Sequence, residues 1–264
     1  MNDVTVAVDD AHVATVEIHR PPANYFDAAL ITELGDAYET IDADPSCRVI
    51  LLCSEGKHFC AGANLGAGAN LGAGANLGAA SSPADQPHAL YRQALRLFAA
   101  ATPVVAAVQG AAVGGGLGLA LSADFRLASP SSRFSANFAR LGFHHGFGLS
   151  VTLPALAGQQ AALDLLLTGR RVPGEEALSL RLCDRLVEEG ALRAASHALA
   201  VELACSAPLA VRSIRATLRS GLLERVQAAL ELEASEQERL RGTEDFREGV
   251  VASLERRMPR FDGR

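Results

Sequence analysis

The sequence predicts an α/β fold in which parallel strands are covered by helices on both faces. Strand-like and helix-like segments alternate through the first two thirds of the chain, a pattern that favours right-handed crossovers. Residues 49–53 and 104–108 are apolar throughout, which is typical of parallel strands buried on both sides. The second run leads through residues 114–116, three glycines, into an Ala/Leu-rich segment, and this order predicts a strand, a turn and a buried helix.

The other elements follow in chain order from apolar periodicity and turn residues. Residues 4–8 and 12–19 predict a hairpin, because Asp9 and Asp10 supply its turn. Asp27 is a predicted N-cap for a helix that runs to about Ile41. Helices are also predicted over 87–100, near 159–167 and over 175–181, with strands over 125–128 and 185–187.

From residue 191 onward the chain is predicted to be helical and rich in charge. We therefore divide the chain into a core, residues 1–190, and a C-terminal helical region, residues 191–264. Four residues form an apolar stripe in that region and are predicted to make subunit contacts: Val211, Ile214, Leu218 and Leu222. Four glutamates are predicted to lie on a solvated helix face: Glu231, Glu233, Glu236 and Glu238.

Composition and charge argue against several classes of partner. A hydrophobic content of 49% with 20% charged residues is ordinary for a chain that buries a large core. The net charge of −6 argues against nucleic acid as the main partner. Residues 97–123 carry no charge and are long enough to cross a membrane, but Pro103, Gln109 and five glycines favour a buried core segment. No membrane span is therefore expected.

The cysteines predict a cytoplasmic protein with reduced thiols. There are five of them, no C-x-x-C spacing occurs, and the N-terminal residues MNDVTVAVDD lack the apolar core of a signal peptide. Cys60 lies near the glycine-rich segments, but a small core thiol is the expected role. Asp124 and Arg126 are predicted to form a buried structural pair. No cluster has zinc-like spacing, so no metal is expected.

An internal repeat follows the first buried strand. The motif GANLGA occurs in succession at residues 62–67, 68–73 and 74–79. A six-residue period occurs in β-helices, but nothing else in the chain shares it. We therefore expect an expanded surface loop or a weak helix, which residues 81–86 extend. Only the first copy is expected to lie near any chemistry.

Two glycine-rich turns each follow an apolar strand, at residues 61–65 and 114–116. Backbone N–H groups at the start of a helix have no intrahelical acceptor, and such groups can stabilise a developing oxyanion. One N–H donor from each turn could converge on a single oxygen atom. The alternative is that the second turn is only a tight strand-to-helix connection packed under another element.

The stretches HFCAGANL and PVVAAVQGAAVGGGLGLALSADFR resemble the enoyl-CoA hydratase/isomerase (crotonase) superfamily. The resemblance continues through HRPPANYFD, FSANFARLGFHHGFGLSVTLP, LLLTGRRVPGEEALSLRLCDRLV and DFREGVVASLERRMPRF, and covers nearly the whole chain. It implies a superhelical core of repeated ββα units, a C-terminal helical region, and a homotrimer or hexamer. It also implies an acyl-CoA thioester as substrate, with coenzyme A as part of that substrate rather than a separate cofactor.

The resemblance also implies roles for individual residues. Ala63 and Gly115 match the positions whose backbone N–H groups form an oxyanion hole for the thioester. Together with Ala63, Ala61 and Leu65 match the turn that lines the adenine pocket. Arg256 matches a basic residue that reaches the phosphates of coenzyme A, often from a neighbouring subunit.

The sequence departs from the family pattern at the residues that transfer protons. Gly118 and Phe138 stand where hydratases of the family carry glutamates, and neither can transfer a proton. His144 and His145 lie in the segment that borders the acyl pocket, and histidine titrates near neutral pH. One of them is a candidate acid or base, and the alternative is a histidine at a helix start that bonds to backbone.

Two functions remain open at this point. One is an enzyme that acts on acyl-CoA through an enolate with an uncommon acid/base set. The other is a non-catalytic protein that binds acyl-CoA and has lost its proton-transfer groups.

Overall fold

The chain was analysed as a computed structural model, which describes residues 3–63 and 87–264. Its strands are β1 (Val4–Val8), β2 (Val13–Ile18), β3 (Val49–Ser54), β4 (Val104–Val108), β5 (Ala111–Val113), β6 (Phe125–Ala128), β7 (Arg133–Ser135), β8 (Arg171–Pro173) and β9 (Arg185–Leu186). Its helices are α1 (Ala28–Ala43), α2 (Pro87–Ala99), α3 (Gly115–Ser122), α4 (Leu149–Ala157), α5 (Gln159–Thr168), α6 (Gly174–Ser179), α7 (Leu192–Ala204), α8 (Pro208–Leu218), α9 (Leu222–Arg241) and α10 (Glu244–Leu254). Only the first two residues of the GANLGA repeat, Gly62 and Ala63, are among the described residues. The rest of the repeat, which includes Leu65, lies outside them.

The main sheet confirms the predicted α/β class. Its six strands lie in the order β1-β2-β3-β4-β6-β9, and only the β1–β2 hairpin is antiparallel. Parallel neighbours require crossover connections, which α1 supplies between β2 and β3. The predicted N-cap of α1 is confirmed, because the Asp27 side chain accepts a hydrogen bond from the N–H of Leu30 at 2.9 Å.

Successive residues of β3 pack into two separate cores, one on each face of the sheet. Ile50 and Leu52 join the larger core, which α1, α2, α3 and α4 cover. Leu51 and Cys53 join a smaller core that α7 covers with Leu199 and neighbouring residues. Burial on both faces explains why β3 is apolar at consecutive positions rather than at alternating ones.

A second, three-stranded sheet was not predicted. It has the order β5-β7-β8, with β5 parallel to β7 and β7 antiparallel to β8. Each strand has three residues, which is too short for a period of two to appear in the sequence. This sheet leads the chain directly from β5 into the glycine turn at the start of α3.

The predicted pairing of Asp124 with Arg126 is wrong, although both groups are well shielded from solvent. The guanidinium of Arg126 is 2% exposed and pairs with Asp184 at 2.8 Å. Asp124 instead accepts from Arg215 of α8 at 2.8 Å and from Arg219, the residue that follows α8, at 2.7 Å. No residue of α8 is itself buried, so apolar burial does not hold this helix in place. The ion pairs of these two arginines tie it to the core.

The apolar stripe of the C-terminal region is largely exposed in the single chain. Ile214 is 60% exposed and Leu218 is 81% exposed, and Leu209 on the same helix is 81% exposed. Val211 is half-buried, and Leu222 begins the next helix rather than continuing α8. The stripe therefore presents apolar side chains to solvent on a helix that ion pairs hold in place.

Within residues 3–63 and 87–264, no individual helix has the length and apolar character needed to cross a membrane. The helical segment Glu189–Ala204 and helix α8 meet those two criteria only when taken together, and they are bent by 103° relative to each other.

We predict that Asp124→Ala lowers the free energy of unfolding by about 3 kcal/mol, because it leaves two shielded arginines without their counter-charge. Urea unfolding at neutral pH measures the effect.

The matched control is Asp164→Ala. Asp164 pairs with Arg170 at 2.7 Å, but its side chain is 41% exposed, so we expect a loss of at most ~1 kcal/mol. Equal losses in the two variants would contradict the role of Asp124 in anchoring α8.

Candidate functional site

The glycine turn at the start of α3 is packed too closely to accommodate side chains. A Cβ atom added at Gly116 would lie 2.2 Å from the carbonyl oxygen of Cys60. One added at Gly115 would lie 2.2 Å from Cζ of the Phe26 ring. Gly114 has a φ of +57°, in the left-handed region that favours glycine. The turn therefore lies directly against the backbone of residues 60–63 and under the ring of Phe26.

The backbone N–H of Gly115 has no acceptor among the described residues. Gly115 is the first residue of α3, and the first N–H groups of a helix lack intrahelical partners. The N–H groups of Leu117 and Gly118 both donate to the carbonyl of Gly114. The N–H of Gly115 is thus available to a ligand at the positive end of the helix dipole.

The backbone N–H of Ala63 likewise has no acceptor in the described ranges. The N–H of Phe26 donates to the carbonyl of Gly62 at 3.1 Å, and Phe26 forms a parallel bridge with Ala63. In such a bridge the N–H of Ala63 points away from Phe26. That direction is toward the side on which Cys60 pairs with Ala112 of β5. Phe26 therefore joins the two turns that the sequence predicts to cooperate.

A phenylalanine fills the space beside Gly118. A Cβ atom added at Gly118 would lie 2.5 Å from Cβ of Phe147, which is fully buried. The Phe147 ring makes edge contacts with Phe26 at 5.9 Å and with Tyr91 at 6.5 Å between centroids. Phe147 has a φ of +63°, a strained conformation for a residue with a side chain. While Phe147 keeps this position, residue 118 cannot carry any side chain without displacing its neighbour.

Phe138, the second position at which the family resemblance implies a glutamate in hydratases, is part of an apolar cluster. Phe138 is buried, and its ring centroid lies 5.4 Å from that of Phe143. Its Cζ atom lies 3.6 Å from the position of a Cβ atom at Gly114. Phe138 and Phe147 thus form an aromatic wall around the start of α3, with no proton-transfer group at position 118 or 138.

The two candidate histidines have different hydrogen-bond partners. Their rings stack with centroids 4.1 Å apart. Nδ1 of His144 bonds to the backbone carbonyl of His145 at 2.8 Å, which is the backbone alternative considered above. Nε2 of His145 bonds to Oγ of Ser150 at 2.8 Å. Burial, together with the neighbouring His144, lowers the pKa of His145 to about 4, so its ring is neutral at pH 7.

The prediction that Glu233 lies on a solvated helix face is wrong. Glu233 is fully buried, and its carboxylate accepts the N–H of Gly148 at 2.8 Å and the N–H of Ser150 at 2.9 Å. These donors lie at the N-terminus of α4, where a negative charge is favoured. Burial raises the pKa of Glu233, and the bonds from Ser150 and Gly148 oppose that rise. The sequence did contain a signal for this burial. Glu233 follows Val226 and Leu230 at a spacing that places all three on one face of the helix, and the other two are apolar and buried.

Of the residues predicted to bind coenzyme A, the structure describes Ala61, Ala63 and Arg256. Ala61 is half-buried, and its N–H donates to the carbonyl of Ala23 at 2.9 Å. Arg256 is exposed two residues beyond the end of α10, and no ion pair in the described ranges involves it. Its guanidinium is thus free to meet an anion, although no described hydrogen bond joins it to Ala61 or Ala63.

Cys60 is a buried core thiol rather than a reactive one. It is fully buried, and burial raises its pKa to about 12. All five cysteines are free, and four of them are buried. Among the described residues, no group of three or more His, Cys, Asp or Glu side chains could hold a metal ion.

Comparison with known proteins places this geometry in context. A family model described as enoyl-CoA hydratase/isomerase matches residues 9–264. The "Probable enoyl-CoA hydratase" of Bacillus subtilis is 32% identical over 264 residues and covers 100% of both chains. The 1,2-epoxyphenylacetyl-CoA isomerase of Escherichia coli is 30% identical over 253 residues, which are 96% of this chain and 95% of that one.

A solved structure agrees with the fold. The crystal structure of an enoyl-CoA hydratase/isomerase from Pseudoalteromonas atlantica superposes with a TM-score of 0.86 at 31% identity. The match covers 98% of this chain and 100% of that chain. The superhelical architecture implied by the sequence motifs is thereby confirmed.

We predict that Gly118→Ala destabilises the protein by about 1–3 kcal/mol, because the new methyl group meets Phe147 in a closely packed core. In a protein that already carries Phe147→Ala the same methyl group has room. The loss of unfolding free energy caused by Gly118→Ala should therefore be smaller there by about 1 kcal/mol or more. Urea unfolding of both single variants and the double variant gives this coupling.

Gly190→Ala is the control, because nothing lies within 4 Å of a Cβ atom at that position. Its effect should stay within about 0.5 kcal/mol. Additive costs at positions 118 and 147 would show that Phe147 does not occupy the space beside Gly118.

Proposed function

Because the chain belongs to the enoyl-CoA hydratase/isomerase family, we propose that it binds an acyl-CoA thioester and stabilises an enolate formed from it. In this proposal the thioester oxygen accepts hydrogen bonds from the N–H groups of Ala63 and Gly115. The observation that carries the proposal is that both groups lack acceptors among residues 3–63 and 87–264 while Phe26 holds their two segments together. One such donor is typically worth ~10²–10³-fold in rate.

The aromatic wall argues for a reaction that adds no water. Hydration needs a base to activate water and an acid to protonate carbon, and each positioned group is worth ~10²–10⁴-fold. Gly118 and Phe138 supply neither group, and Phe147 fills the space beside Gly118. A proton shift within the acyl chain requires only one residue that takes a proton and returns it. We therefore propose an isomerase-type proton transfer, with His145 or His144 as the proton-transfer residue.

Coenzyme A is proposed to bind along the turn that contains Ala61 and Leu65, with its phosphates at Arg256. An exposed guanidinium with no ion-pair partner in the described ranges suits a phosphate, because its planar donors match phosphate oxygens in pairs. Coenzyme A enters as part of the substrate. We further propose a cytoplasmic location, which five free cysteines support.

One observation favours a second candidate function. A packed aromatic wall with no carboxylate at position 118 or 138 is also what a non-catalytic acyl-CoA-binding protein would show. The two candidates share the oxyanion site and differ only in turnover.

A homotrimer or hexamer built through residues 191–264 completes the proposal. The exposed apolar side chains of α8 support it, because Leu209, Ile214 and Leu218 all face solvent in the single chain.

We predict that calorimetry detects binding of a non-reactive acyl-CoA, and that kcat for crotonyl-CoA hydration lies well below the typical enzyme value of ~10 s⁻¹. No binding at millimolar ligand would refute the proposed function. A kcat above that value would refute the claim of poor hydration. Binding without turnover of any thioester in a panel that includes 3-enoyl-CoA would select the non-catalytic candidate.

We predict a trimeric or hexameric mass by analytical ultracentrifugation at micromolar concentration. Replacement of Ile214 and Leu218 by glutamate should lower that mass, because it places charge in the contact. Glutamate at the exposed Leu167 of α5, which is 72% exposed and lies outside the predicted region, is the control. A monomeric wild type would contradict the assembly.

A further inference from the structure

Three polar side chains connect helix α9 to the histidine loop, residues 142–148. The carboxylate of Glu233 accepts the N–H of Ser150 at 2.9 Å, and an interaction with the hydroxyl of the same residue lowers the pKa of the carboxylate. Oγ of Ser150 lies 2.8 Å from Nε2 of His145. Glu233 is fully buried, and His145 and Ser150 are half-buried. This series of side chains therefore runs from a buried carboxyl group outward to an imidazole ring.

The atoms that carry hydrogen in this series of side chains can be assigned by starting from the buried Glu233. Two backbone N–H groups donate to Glu233, and the Ser150 hydroxyl lowers the pKa of this carboxylate, which is the effect of a hydroxyl whose hydrogen points toward it. Oγ of Ser150 then offers only lone pairs to His145, so Nε2 of His145 must carry a hydrogen. A neutral imidazole has one N–H, and Nδ1 of His145 therefore carries the lone pair.

Nδ1 is the ring nitrogen of His145 that remains available to a substrate. In the part of the chain that the structure describes, Nδ1 of His145 has no hydrogen-bond partner. His144 differs, since its Nδ1 bonds to backbone and nothing links its ring to a carboxylate through a hydroxyl. The side-chain amide of Gln237 donates to the carbonyl of His144 at 2.9 Å and so ties the histidine loop to α9.

Charged and titratable groups face the histidine loop from two helices. The hydroxyl of Tyr91 of α2 lies against Gly146, and burial raises the pKa of Tyr91, so it stays neutral. Glu233 and Glu236 of α9 face His144. The bonded link from a carboxylate to His145 runs through Ser150.

The histidine loop borders the proposed oxyanion site. Phe147, two residues after His145, contacts the ring of Phe26 at 5.9 Å between centroids. The ring of Phe26 in turn covers Gly115. A thioester held at Gly115 would therefore lie beside the wall that this loop forms.

We propose that Glu233 and Ser150 are positioning residues that hold His145 in the tautomer with hydrogen on Nε2, so that Nδ1 takes and returns the substrate proton. This inference rests on the proposed function. The C–H bond next to the thioester breaks, its proton moves to Nδ1, and its electron pair becomes the enolate held by the N–H groups of Ala63 and Gly115. The proton then returns from Nδ1 to carbon, at the γ-position for a 3-enoyl chain, so no other reactant is needed.

The tautomer is tested by two-bond ¹H–¹⁵N correlation on full-length protein labelled with [¹⁵N]histidine, at pH 7. We expect His145, assigned by the loss of its signals in His145→Gln, to carry hydrogen on Nε2 only. Ser150→Ala should yield a mixture of tautomers, and Ser150→Thr should preserve the wild-type pattern. Hydrogen on Nδ1 in the wild type would overturn the proposal, and this result requires no folded variant of Ser150 or Glu233.

Kinetics on a thioester that the wild type turns over provide the second test. Ser150→Ala should lower kcat by about 10²-fold with little change in KM, because the base is misaligned while binding is retained. Ser150→Thr should restore most of kcat. Ser235→Ala on the exposed side of α9 is the control and should leave kcat unchanged.

The outcomes separate this inference from the proposed function. If the protein binds and converts a thioester but Ser150→Ala changes neither the tautomer nor kcat, the positioning role is wrong. If the tautomer is as predicted but no acyl-CoA binds, the proposed function fails while the assignment of protons stands.

Discussion

The close approach between residues 60–63 and the glycine turn at 114–116 is the constraint on which the site depends. Gly115 and Gly116 lie against Phe26 and the Cys60 carbonyl at distances that exclude any Cβ atom. The approach brings the start of α3 beside a second extended segment, and each contributes an N–H without an acceptor in the described residues. Both sheets serve this contact, because β4 and β5 deliver the glycine turn and β3 delivers residues 60–63.

Side-chain volume around this backbone site determines what chemistry it can support. Phe147 occupies the space beside Gly118, so the packing of the core leaves no room for a carboxylate at position 118. A glutamate introduced at position 118 would require the histidine loop to move. The same loop carries His145, so the residues that fill the pocket and the proposed proton-transfer group belong to one short segment that Glu233 and Gln237 fix from α9.

The sequence predicted the parts of the fold that local patterns determine, and missed those that depend on distant packing. Continuous apolar runs identified β3 and β4, and Asp27 identified the start of α1. The partner of Arg126 is Asp184, 58 residues away, and no local pattern distinguishes it from Asp124. Glu233 was missed because α9 carries many charges, and its burial depends on the N-terminus of α4.

Isotope-edited infrared spectroscopy of a non-reactive acyl-CoA with a ¹³C-labelled thioester carbonyl tests the central claim most directly. Two N–H donors aimed at the oxygen should polarise the C=O bond and shift its stretching band to lower wavenumber on binding. The account predicts this shift in the wild type and in Ser150→Ala, which leaves the oxyanion site intact. A bound thioester whose carbonyl band matches that of the free ligand in water would contradict the account.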